Sequence, residues 1–70
     1  MAGAVTILGI DPGSQVTGYG VISATGPRIA YVSSGCIRTR PGSELSERLR
    51  TIYEAVAGLV ERYRPGEVCI

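Results

Sequence analysis

Residues 7–20 read ILGIDPGSQVTGYG, an apolar segment that ends on the only aspartate in the chain and turns at once into a second segment. The run AVTILGI at 4–10 is rich in β-branched residues and shows no clean alternation of apolar and polar positions. That pattern marks a strand buried on both faces. Asp11-Pro12-Gly13-Ser14 is a turn signal, with proline suited to the first central position and glycine to the second. Because Asp11 precedes a proline it is held extended, so its side chain is fixed by the sheet and not by a loose loop. TGYGVISA, from Thr17 to Ala24, reads as the second strand, and Gly18 and Gly20 weaken it or let something approach its backbone.

Gly26-Pro27 is the next turn and RIAYVSSGCIR, residues 28–38, is a third strand. Strict alternation puts Ile29, Tyr31 and Ile37 on one face and Ala30, Val32 and Cys36 on the other. Three strands joined by short turns form an antiparallel meander. The pattern then changes to a helical period. Ser43 is the expected N-cap, Glu44 and Glu47 sit near the positive helix end, and Leu45, Leu49, Ile52, Val56, Leu59, Val60 and Tyr63 form one apolar stripe. Arg50 and Glu54 are spaced for an i,i+4 pair, Gly58 costs the helix up to about 1 kcal/mol relative to alanine, and Pro65-Gly66 ends it. The last residues, EVCI, begin a fourth apolar strand. One helix covers one face of a sheet, yet the first strand reads as buried on both, so a second covering layer is expected from elsewhere and residues 1–70 read as the front part of a larger domain.

Bulk properties exclude more than they assign. A net charge of +1 announces neither a nucleic acid nor a membrane, and 44% hydrophobic content argues against disorder. Two cysteines, no histidine and no C-x-x-C pair leave no zinc motif. The opening MAGAVTILGID has no basic region and no long apolar stretch of the secretory kind, and no run is long enough to span a membrane. The expectation is a cytoplasmic chain with reduced thiols and no membrane partner.

Asp11 admits two roles. Aspartate is common in turns because its carboxylate accepts backbone hydrogen bonds two residues on, and that is the commoner use. Strand ends in α/β sheets also line ligand crevices, and a fixed carboxylate there suits a divalent cation, although one carboxylate is not a metal site. The glycines at 13, 18 and 20 match neither phosphate-loop spacing. Arg38 and Arg40 are equally suited to phosphate contact and to guarding a sheet edge. The tyrosines and Cys36 and Cys69 read as packing residues, the two cysteines too far apart for a disulfide.

The run Gly9-Ile10-Asp11-Pro12-Gly13-Ser14, then Thr17-Gly18-Tyr19-Gly20-Val21-Ile22, then Ser34-Gly35-Cys36-Ile37-Arg38-Thr39 and a helix ending in Arg64-Pro65 closely resembles the opening of the RuvC family, the crossover junction endodeoxyribonucleases or Holliday-junction resolvases. The resemblance implies an RNase H-like α/β fold: antiparallel strands one to three, a helix, and a fourth strand parallel to the first. It implies that residues 1–70 are the N-terminal part of a single nuclease domain, cut before its second acid. On that reading Asp11 is catalytic and binds metal. The second acid would stand at position 71, after Val68-Cys69-Ile70, with the rest further downstream. Glu67 lies four places too early to replace it. The family's chemistry uses two Mg²⁺ ions, four-way junction DNA, a homodimer and the RuvA and RuvB branch-migration proteins, and a chain that holds only one of the site's carboxylates is expected to be inactive alone. The rival readings are an actin-like ATPase or sugar kinase, whose Asp-x-Gly-[Thr/Ser] motif Asp11-Pro12-Gly13-Ser14 would satisfy, and a YqgF-type nuclease. The sequence singles out no DNA-binding residues.

Overall fold

A computed structural model describes residues 3–13 and 15–70. Its elements are β1 (Val5–Asp11), β2 (Val16–Thr25), β3 (Arg28–Arg38), α1 (Leu45–Tyr63) and β4 (Glu67–Cys69). The strands form one sheet in the order β3-β2-β1-β4. β1 pairs antiparallel with β2, from Val5 opposite Ala24 to Asp11 opposite Gly18. β4 runs parallel to β1, with Ile7, Leu8 and Gly9 opposite Glu67, Val68 and Cys69. The expected RNase H-like element order is therefore present, the parallel fourth strand included.

The helix α1 covers one face. Leu8 and Val21 lie directly opposite each other and are fully buried, with Thr17 and Ile37 beside them on the same side. Ile10, Thr17 and Val68 face the helix residues Leu49, Ile52 and Val56 across a shared cavity of about 460 Å³. The helix stands off the sheet, and none of its described residues is buried. The apolar stripe exists as the spacing predicts, yet Leu45 and Leu49 remain 62% and 57% exposed. The opposite sheet face is open. β1 is consequently buried at Leu8 alone and not on both sides.

Two local readings change. The third strand does not alternate strictly, because a bulge interrupts its pairing between Val21 and Ile22. Ile37 lies opposite Thr17 and Tyr31 opposite Ile22, five residues along β2, so the bulge sends Ile37 to the helix face and Ile29 and Tyr31 to the open one. Exposure agrees, at 7% for Ile37 against 69% and 73% for the other two. At the helix start, Glu44 occupies the N-cap position and makes no side-chain cap. Ser43 instead donates its hydroxyl and its backbone N–H to the Arg40 carbonyl, at 2.6 and 3.2 Å, closing the Arg40–Ser43 turn. The helix ends on Arg64 in the left-handed region, φ 46°, its N–H bonded to the Val60 carbonyl.

Candidate active site

Asp11 is the last residue of β1 and is exposed. Its place follows from the pairing: it stands opposite Gly18, which stands opposite Cys36, so the carboxylate rises from the open face at one end of the sheet. The positions nearest it on the open face of β1 and β2 are glycines. Gly9 and Gly20 face each other one row along, and with Asp11, Gly18 and Cys69 they border an open hollow of about 470 Å³. The ladder fixes the backbone at Asp11, while the turn after it is tight: a Cβ on Gly13 would run into the Val16 carbonyl oxygen.

No described residue donates a hydrogen bond to the Asp11 carboxylate. The turn role read from the Pro-Gly context has no hydrogen bond to express it among the described residues. Ser14, the neighbour that the sequence reading grouped with this turn, lies outside the described residues.

Other candidates separate cleanly. Glu67 pairs with Ile7, four residues from Asp11 along β1, so about 13 Å of strand divides the two carboxylates. Glu67 cannot join Asp11. Arg40 forms an ion pair with Glu47 at 3.6 Å, beyond the end of β3. Arg38 is different: it stands opposite Val16 on the open face, one row past Cys36. Cys36 and Cys69 are free and exposed, not buried as small apolar residues would be. They share the open face but occupy β3 and β4, with β2 and β1 between them. Among the described residues no group of three histidine, cysteine, aspartate or glutamate side chains comes together. Asp11 thus contributes one hard oxygen donor, and the described residues do not complete a divalent-ion site on their own.

A mixed sheet of this order, with its helix between β3 and β4 and a carboxylate ending the central strand, defines the RNase H-like class. The Thermus thermophilus RuvC structure superposes on it with a TM-score of 0.81 at 29% identity, covering 90% of this chain and 42% of that one. The family model described as "Crossover junction endodeoxyribonuclease RuvC" matches residues 7–70, and the chain belongs to the RuvC family. Proteins bearing that same description in Legionella pneumophila strain Corby and Stutzerimonas stutzeri strain A1501 are 55% identical over 91% of the chain and 58% identical over 84%. The chain spans 37% and 33% of those relatives' lengths. No helix among the described residues is long and apolar enough to cross a membrane.

Proposed function

We propose that this chain is the front part of a Holliday-junction resolvase, a structure-selective endonuclease of recombination and repair, and that Asp11 is its first catalytic, metal-binding carboxylate. The observation that carries the proposal is the position of Asp11: exposed, unbonded by any described residue, and fixed at the end of a central strand beside a floor of glycines. The parallel register supports it. Continued one step past Cys69, β4 sets Ile70 opposite Ile10, and a following residue would stand beside Asp11. An acid at position 71 would then pair with Asp11 across adjacent strands.

The cofactor that belongs to this reading is a pair of Mg²⁺ ions, completed by acids beyond position 70, which would supply water activation and leaving-group stabilisation. What this chain itself supplies is one oriented carboxylate and a surface that lets a sugar-phosphate backbone come close, because glycines 9, 18 and 20 place no Cβ in the way. The substrate proposed is four-way junction DNA, taken by a homodimer that works with the RuvA and RuvB branch-migration proteins in the cytoplasm. The 70 residues alone carry only one acid of that site, Asp11, and are expected not to cut.

The test uses a chain of the relatives' full length. Mg²⁺-dependent symmetric nicking of a synthetic four-way junction is expected. Asp11→Asn should remove nicking while leaving junction affinity within about threefold, since a neutral amide keeps the shape and loses the charge-assisted ligand. Equal loss of binding and cutting would make Asp11 structural. Micromolar Mg-ATP binding without nicking would replace the nuclease with a phosphotransfer protein.

A further inference from the structure

The turn that follows Asp11 is anchored from the end of a strand that does not pair with β1. Thr39, one residue past β3, donates both its backbone N–H, at 3.1 Å, and its hydroxyl, at 3.2 Å, to the same acceptor, the Gln15 carbonyl. Thr39 is 8% exposed, so neither bond is made in open water. The backbone bond continues the β2–β3 ladder one step beyond its last paired row, Val16 opposite Arg38. The hydroxyl bond has no such excuse: an apolar residue of the same shape would keep the ladder and lose it. Gln15 immediately precedes β2, and Gly13, two residues past Asp11, has no room for a side chain against the Val16 carbonyl.

We propose that Thr39 is a positioning residue for Asp11. The near end of the β1–β2 connection is fixed by the pairing of Asp11 with Gly18, and the far end by the double grip of Thr39 on Gln15. A short connection clamped at both ends holds the carboxylate's direction as well as its place. Released at Gln15, the same connection would let Asp11 fray from Gly18, because the two form the terminal pair of the β1–β2 ladder, while Gly18 itself stays paired with Cys36 of β3. Displacement of a reacting group by a fraction of an ångström is enough to slow a reaction without changing substrate affinity. The proposal rests on the resolvase reading for its activity readout but not for its structural one.

The experiment compares Thr39→Val, Thr39→Ser and Asp11→Asn with wild type in a full-length chain. Two quantities are read: amide hydrogen exchange across residues 12–18, and junction nicking separated into single-turnover rate and junction Kd. Thr39→Val is expected to speed exchange in that segment, to lower the nicking rate about tenfold and to leave Kd within about twofold, in line with the cost of slightly misplacing a reacting group from a distance. Thr39→Ser, which keeps the hydroxyl, should restore both. Unchanged exchange in Thr39→Val overturns the clamp. So does a serine variant as impaired as the valine one, which would mean that the hydroxyl does not set the effect and that packing at this site does. If Val does not fold at this site, Thr39→Ala is read against Thr39→Ser in the same way. Should wild type fail to nick at all, the resolvase reading fails, and the exchange comparison still decides the clamp.

Discussion

Tyr19 and Gly35 face each other across β2 and β3, and their contact shows how one residue's absence of a side chain is used by another. A Cβ on Gly35 would lie 2.6 Å from the Tyr19 hydroxyl oxygen and 2.9 Å from two ring carbons. The ring lies over the glycine, a cross-strand arrangement that covers a bare stretch of backbone. Gly35→Ala is therefore expected to cost about 1–3 kcal/mol, the range for overpacking, with much of it recovered in a Tyr19→Leu background because the obstruction is a side chain that can be shortened. Gly13→Ala should behave differently. Its obstruction is the Val16 carbonyl, which no side-chain change relieves, so the loss should persist in every background tried. Thermal unfolding of the single and double variants, in a full-length chain, separates the two. Asp11 shows the limit of reading at this scale. Its type, its strand-end place and its pre-proline restraint were legible from ILGIDPG, whereas the turn role and the metal role differ only in which atoms meet the carboxylate. Residue types do not carry that information, and only the family resemblance favoured one role.

Among the elements, helix and strands were legible where one period dominated, and misread where two periods competed or a neighbour intervened. In RIAYVSSGCIR both alternating sets are partly apolar, so an extra residue could be inserted without breaking either pattern, and the bulge that moves Ile37 to the opposite face from Tyr31 left no trace. Ser43 has a good N-cap side chain, but the Arg40 carbonyl three residues back competes for its hydroxyl. The resulting uncapped N-terminus is flanked by the Arg40–Glu47 ion pair instead. Within the helix, Arg50 and Glu54 do meet, at 3.0 Å, with both side chains mostly exposed. Such a pair contributes a few tenths of a kcal/mol, so Glu54→Gln should shift the unfolding midpoint by less than a degree or two and by still less at high salt. Gly58 gives the larger effect. It is exposed and a Cβ there would meet nothing within 4 Å. Gly58→Ala should stabilise by about 0.5–1 kcal/mol, through reduced freedom of the unfolded chain, without altering any contact. No gain in thermal midpoint would mean that the helix carries little of the fold's stability, consistent with its lack of buried residues.

At the scale of the whole molecule the shape is the informative quantity. A compact monomer of 7.3 kDa is expected to expose about 4,200 Å², and this chain exposes 5188 Å². Its radius of gyration is 13.7 Å, against about 11 Å for a compact chain of this length, and it measures 49 × 17 × 15 Å. The excess has two sources. One is the open sheet face, where Ile29 and Tyr31 stand exposed; the other is the outer flank of the helix, where Leu49, Tyr53 and Val60 border an apolar groove. The sequence reading reached the first of these through the unalternating β1 run, since a strand apolar on both sides needs cover on both. It missed the second, because a single apolar stripe does not reveal whether the helix seats deeply or stands off. Among the described residues three buried apolar side chains, Leu8, Val21 and Ile37, form a core too small to offset the ordering of the chain by a wide margin. Residues 1–70 expressed alone should accordingly show strand and helix signals in far-ultraviolet circular dichroism, bind a hydrophobic dye, and elute from a sizing column at a volume that depends on concentration. Sharp, dispersed amide resonances and a cooperative, concentration-independent unfolding transition would contradict this, and would mean that the β1–β3 meander holds its fold with its open face in water.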